Sequence, residues 1–245
     1  MTSRELPLPL KPAFKREFLD FEHGIRMGRL EPNERITQIV KARLVARHGQ
    51  EFVIDKWGRG RYWQWLCWLP RANRDSKPRS SGYNFSCAKF FVSLDRDDRT
   101  LDSGLQVERA LVRRGRGAAD EVYLEDDWDW HRLVAGLRKG TPLAAELERL
   151  VGREGFTAHV GGTSDEARTF RGRRWGGVAA VGRTCRAVPD DHWGWFQAYY
   201  AIPEKELGAM SGADVIESVL AIFDEVTAAM NLVMDRPFLK ERAGR

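Results

Sequence analysis

Apolar side chains recur every third or fourth residue in some stretches of this chain and every second residue in others. The switches between these periods predict its elements. Phe14, Phe18 and Phe21 stand at i, i+4 and i+7, which predicts a helix over residues 13–25, closed by Gly24 and Gly28. A second helix is predicted over 33–47. Pro32 suits its first turn, Arg43, Arg47 and His48 come late, Gly49 follows, and Ile36, Ile39, Val40 and Leu44 form its stripe. The period then falls to two. Residues 51–56 read as a strand and 58–60 as a turn. In the strand over 61–69, Trp63, Trp65, Cys67 and Leu69 share one face, while Tyr62, Leu66 and Trp68 share the other. Apolar groups on both faces predict an interior strand covered on both sides.

Residues 71–82 have the composition of a loop. A strand over 83–94, a polar turn over 95–103 and a returning strand over 105–112 complete an antiparallel meander. With Leu94 opposite Leu105, Lys89 falls diagonal to Glu108. A helical pair follows over 125–139 and 142–151, parted by Gly140. Short strands are expected at 157–160, 167–171, 177–181 and 193–202, and a long helix over 213–234. Strands in runs between helices, without regular βαβ alternation, predict an α+β fold. It would be a largely antiparallel, Trp-rich sheet packed by N-terminal, middle and long C-terminal helices, in one domain over 1–245. Residues 1–12, with prolines at 7, 9 and 12, read as an extended arm, and a weak sub-boundary lies around 113–121.

With 245 residues, 42% of them hydrophobic, the chain has ample material for a core, which excludes a disordered protein. Three cysteines, at 67, 87 and 185, make neither a disulfide framework nor a CxxC metal spacing. Charges at Glu217, Asp224 and Glu225 bar the long C-terminal helix from a bilayer. The first fourteen residues lack the apolar run of a secretory signal. The expected setting is therefore cytoplasmic, with no membrane partner.

The net charge of +5 conceals a division. Residues 1–122 carry 24 basic and 16 acidic side chains, and residues 123–245 carry 16 and 19. Within the acidic half, residues 167–188 hold six arginines and no acid. Arginine outnumbers lysine 31 to 9, and its guanidinium fork matches phosphate in two-pronged fashion where lysine cannot.

Two segments are the candidate phosphate contacts. One is Arg71, Arg74, Lys77 and Arg79. The other is Arg168, Arg171, Arg173 and Arg174 around Trp175, whose ring could stack on a base. The expected function is polyanion binding, with nucleic acid as the partner, through these Arg-rich loops. A metal-dependent nuclease or hydrolase is the first alternative, with Lys89, Glu108 and His131 as candidate catalytic residues. A protein-interaction or self-assembly module is the second. The aspartates at 95, 97, 98 and 102, the Asp127/His131 spacing and the Asp191-His192 pair are weak metal sets, and no metal site is assigned. The only (E/D)xK triplet, Asp75-Ser76-Lys77, falls in the expected loop. Neither GxGxxG, GxxxxGK[ST] nor GxSxG occurs, so no cofactor is expected.

Overall fold

The computed structural model describes residues 11–77, 87–109, 129–162, 167–189 and 193–238, with the backbone alone at 112–113 and 122–123. The expected arm, the sub-boundary near 113–121, Arg79, Asp127 and the Asp191-His192 pair lie wholly or mostly outside these residues. The chain runs through β1 (Leu19–Asp20), β2 (Gly24–Arg26), α1 (Ile36–His48), β3 (Phe52–Arg59), β4 (Tyr62–Pro70), α2 (Arg71–Asp75), β5 (Lys89–Asp95) and β6 (Thr100–Arg109). The small pair β7 (Val112–Arg113) and β8 (Val122–Tyr123) follows. After it come α3 (Asp129–Gly136), α4 (Pro142–Gly152), β9 (Thr157–Gly162), β10 (Arg168–Phe170), α5 (Val178–Ala187), β11 (Gly194–Pro203), α6 (Glu204–Leu207) and α7 (Gly212–Val233).

The α+β class holds. Among the described residues nine strands form one sheet in the order β3-β4-β5-β6-β11-β9-β10, every pairing antiparallel. The β1–β2 hairpin joins it beside the start of β4. Leu66 and Trp68 on one face of β4 enter the main core, and Cys67 and Leu69 on the other join a smaller cluster with Cys87 and Phe91. The predicted two-sided strand is thus present from Trp65 to Leu69, but a register shift against β3 at Trp57/Gly58 puts Trp63 on the main-core face rather than on the face of Trp65. Five of the nine tryptophans lie on strands, at 57, 63, 65, 68 and 195. No helix of the described residues is long and apolar enough to cross a membrane.

The main core fills one face of the sheet. α7 lays Val215, Val219, Phe223, Val226 and Met230 on it, and Phe223 meets the rings of Phe90 and Trp68 at 4.6 and 5.7 Å. Burying each such side chain contributes roughly 1.5–3 kcal/mol. Ser211 starts α7 with a capping box: its hydroxyl accepts from the backbone N–H of Asp214, whose carboxylate accepts from that of Ser211.

Local chemistry overrides periodicity in four places. The phenylalanines at 14, 18 and 21 are buried, yet only a 3-10 turn (Arg16–Phe18) forms there. Asp20 accepts from the backbone N–H groups of Glu22 and His23 and turns the chain into the β1–β2 hairpin. The stretch expected as a strand at 177–181 begins α5. Gly176 and Gly177, at φ +62° and +77°, break the backbone, and Val178, Val181 and Cys185 then follow a helical stripe. The turn between β5 and β6 is tighter than expected, because Asp95 accepts from the N–H groups of Asp97 and Asp98. Leu94 therefore faces Leu101 rather than Leu105, a shift of an even number of residues that leaves every side chain on its predicted face.

The fourth place is the expected loop 71–82, whose described part folds inward. Asn73 is buried on α2, and Lys77 pairs with Asp129 at 2.8 Å, both side chains almost fully enclosed. Asp129 also accepts from Asn73 Nδ2 at 2.7 Å and from the backbone N–H groups of Ala88 and Asp235. Asn73 Oδ1 accepts from the N–H of Arg236. This knot ties α2, the approach to β5, α3 and the segment after α7.

Two substitutions test this description. A Cβ on Gly104 would lie 2.1 Å from the carbonyl oxygen of Ala198 and 2.7 Å from Tyr199 Cα, so Gly104→Ala forces β6 and β11 apart. It is expected to destabilise by about 1–3 kcal/mol in urea denaturation, and a neutral result contradicts that close approach. Asp129→Ala strands Lys77 as an unpaired buried charge and should remove about 3–5 kcal/mol, with Asp129→Ala/Lys77→Met regaining part of the loss.

Candidate functional site

The sheet face away from α7 is set by the alternate residues of β6: Asp102, Gly104, Gln106 and Glu108. Facing them are Lys89 and Ser93 from β5, Gln197 and Tyr199 from β11, and His159 from β9. Two regions result, a buried polar network and an open cleft.

Lys89 Nζ donates to Glu108 Oε2 at 3.1 Å, with side chains only 1% and 4% exposed. Burial pulls the Lys89 ammonium towards its neutral form, but the Glu108 carboxylate outweighs it and raises Lys89 above the ordinary lysine value. Burial likewise lifts Glu108 above the ordinary carboxylate range, against the pull of Lys89. Gln106 Nε2 donates to Glu108 Oε1, and Gln106 Oε1 accepts from Trp65 Nε1 at 2.9 Å and from Gln197 Nε2 at 2.8 Å. Every polar end of the Gln106 amide is thus committed. Gln197 stands opposite His159, which burial shifts below the ordinary histidine value.

His159, Gln197 and Tyr199 lead from this network into a cleft of about 320 Å³. Asp95, Asp98 and Asp102 line one side, and Thr169, Arg171 and Arg174 line another. Burial raises Asp102 to about 7; the Thr100 hydroxyl, donating to it at 2.8 Å, and Arg171 oppose that rise, while Asp95 and Asp98 add to it. Burial also raises Tyr199. A second cleft, of about 700 Å³, lies between β9–β10 and α5, with Arg168, Arg183, Phe170 and Val188 in its walls.

The residues singled out from the sequence separate into distinct places. Arg168, Arg171, Arg173 and Arg174 are all exposed at or just beyond β10, the last strand of the sheet. Arg183 and Arg186 on α5 are exposed as well. Among the described residues, none of these six arginines lies within ion-pair distance of a carboxylate. Trp175 departs from the expectation: it is buried, and its indole N–H donates to Glu148 at 2.8 Å, which removes it as a stacking surface. Lys77 departs likewise, being sealed against Asp129. Arg71 is exposed on α2, and Arg74 lies 3.7 Å from Asp75. They follow β4, five strand spacings or roughly 24 Å from β10, so the two basic segments do not converge.

The candidate catalytic residues are likewise not one constellation. Lys89 and Glu108 meet as predicted, whereas His131 is exposed on α3, which packs with α7 on the other side of the sheet. Among the described residues no three His, Cys, Asp or Glu side chains converge to hold a metal ion. Burial raises all three thiols, Cys87 and Cys185 to about 12, which leaves them as unreactive neutral groups.

Sequence reasoning missed His159, Gln197 and Tyr199 as members of a site, and it placed Asp102 only in a metal-like run. It also missed the pair Trp193 and Trp195, whose rings lie 5.2 Å apart beside His159. The one available signal was polar residues at the even positions of β6, which leave that face without a continuous apolar covering.

The raised Asp102 carries a pH signature. A carboxyl that binds its proton more tightly folded than unfolded favours the fold at low pH, and that advantage fades between about pH 4 and pH 7. Asp102→Asn, which keeps an acceptor for Thr100, should therefore raise stability above pH 7 by up to a few kcal/mol, at roughly 1.4 kcal/mol per tenfold change in proton affinity. At pH 4 the gain should vanish. Equal effects at both pH values would show that Asp102 ionises normally.

Comparison of the chain with protein-family models, with curated proteins and with solved structures gives no match, so the functional reading rests on this geometry.

Proposed function

We propose that the chain binds a polyanion, nucleic acid in class, along the ridge formed by β10, the turn after it and α5. The observation that carries this reading is the set of six exposed arginines with no described carboxylate partner, at positions 168, 171, 173, 174, 183 and 186. Some arginines elsewhere are neutralised within the fold: Arg149 meets Glu146, Glu154 and Glu225, and Arg99 meets Glu22 and Glu204. The ridge differs in crowding six arginines and no acid into residues 167–188. Guanidinium groups without a described carboxylate partner are suited to take phosphates in two-pronged contacts. Trp193, exposed on the neighbouring part of the sheet against Trp195, offers the stacking face that Trp175 does not. Phosphate contacts of this kind position a nucleic acid without reading its sequence.

The ridge and the segment of Arg71 and Arg74 act separately in this reading, since they stand too far apart for one short phosphate run. Fluorescence anisotropy with a labelled single strand and a labelled duplex, over a salt series, tests the proposal. Six phosphate contacts should weaken binding by about a thousandfold between 50 and 200 mM salt. Arg168→Ala/Arg173→Ala/Arg183→Ala should lower the slope of log affinity against log salt by about 2, uniformly across sequences. An unchanged slope in this variant would refute the ridge as the binding surface.

A further inference from the structure

We propose that the 320 Å³ cleft between the β5–β6 turn and the end of β10 binds a small zwitterion, whose anionic group is held by Arg171 and Arg174 and whose ammonium group is held by Asp102. The inference does not rest on polyanion binding, because Arg168, Arg173 and Arg183 take no part in it. It starts from Asp102, which is only 8% exposed and receives the Thr100 hydroxyl on Oδ1. Among the described residues no Lys, Arg or His stands within ion-pair distance of it. A carboxylate buried without a cation is costly, and a ligand ammonium in the cleft would relieve that cost.

The charges around the cleft select the ligand further. A simple anion drawn to Arg171 and Arg174 would also face Asp95, Asp98 and Asp102, and a simple cation would face the two arginines. Only a molecule carrying both signs, spaced across the opening, satisfies both sides. Gln197 and Tyr199 on β11 and His159 on β9 supply uncharged polar contacts between them, and Ser93 supplies one on the far side of Asp102. The volume sits at the small end of ligand sites, which suits an amino acid or a phosphorylated amine rather than an oligomer.

The charged and titratable groups near Asp102 are Asp95 and Asp98 from the β5–β6 turn, Arg171 and Arg174 beyond β10, Tyr199 on β11 and His159 on β9. Ammonium binding should draw the proton off Asp102, so affinity falls as pH drops below about 7.

Titration calorimetry on the full chain at pH 8 provides the test. The probes are glycine, 4-aminobutyrate and phosphoethanolamine, set against acetate, inorganic phosphate and ethylamine. At least one zwitterion should bind, and its single-charge fragments should bind at least tenfold more weakly; which zwitterion binds distinguishes a carboxylate from a phosphate head. Asp102→Asn and Arg171→Ala should each reduce binding at least tenfold while retaining a cooperative thermal transition, and Arg173→Ala should leave it unchanged. At pH 7, buffers of different ionisation enthalpy should report proton release from the wild-type protein and none from Asp102→Asn. No heat from any zwitterion at millimolar concentration, or phosphate binding as strongly as phosphoethanolamine, overturns the proposal. Loss of zwitterion binding in Asp102→Asn with an intact salt slope for nucleic acid would separate this site from the ridge.

Discussion

β6 is hydrogen-bonded to β5 along one edge and to β11 along the other, so it can neither slide nor turn without breaking both ladders. Its ten residues are sorted by parity alone. Leu101, Leu105 and Val107 go to the core beneath α7, while Asp102, Gln106 and Glu108 go to the opposite face. A one-residue slip would send Glu108 into the main core and Val107 onto the polar side, a change opposed by both hydrophobic burial and charge desolvation. The polar network and the cleft exist because this register is locked. Gly104 permits it, since a larger residue there would collide with the backbone of β11.

The two enclosed ion pairs do different work. Lys77–Asp129 gathers elements distant in sequence, from α2 to the segment after α7, and its carboxylate accepts from two backbone N–H groups as well. Lys89–Glu108 lies within the sheet and hands its order on, because Glu108 fixes the Gln106 amide and Gln106 fixes Gln197. Neither pair need stabilise the fold relative to well-packed apolar residues of similar size. What they impose is one arrangement: each wrong pairing would leave a charge enclosed without a partner. In the second case that constraint extends from the centre of the sheet to the rim of the cleft.

Much of this fold was legible in the sequence, for reasons tied to particular residues. Trp65 to Leu69 alternates on both faces, and only a doubly covered strand accommodates that; the bulge that turns Trp63 to the other face leaves no mark in that pattern. Val215, Val219, Phe223 and Met230 keep a helical spacing too long to misread. The Lys89–Glu108 contact was legible despite a wrong register, because Glu108 lies diagonal to Lys89 in either pairing. The buried Lys77 was illegible, since its burial is decided by Asp129, 52 positions later, within a segment composed like a loop. α5 was misread because a five-residue window over 177–181 cannot distinguish the first turn of a helix from a short strand. The cleft was the least legible feature. Its lining comes from β5, β6, β9, β10 and β11, and no spacing along the chain shows that β11 inserts between β6 and β9.

The electrical division of the sequence takes on meaning only through this placement. Arg47 joins α1 to Glu217 and Asp224 of α7, and Arg99 joins the β5–β6 turn to Glu22 and Glu204. Those arginines are spent on the fold, and their fields are cancelled within a few ångströms. The arginines from 168 to 186 sit on an edge strand, the turn after it and one helix, with no acid among them and, among the described residues, no carboxylate within ion-pair distance. Arg171 and Arg174 differ from the other four, because they also face the aspartates across the cleft. The same short segment therefore carries exposed arginines outside the cleft and, within it, charges of both signs. A long anion and a small zwitterion would each find a distinct complement there, set apart by which side of β10 they approach.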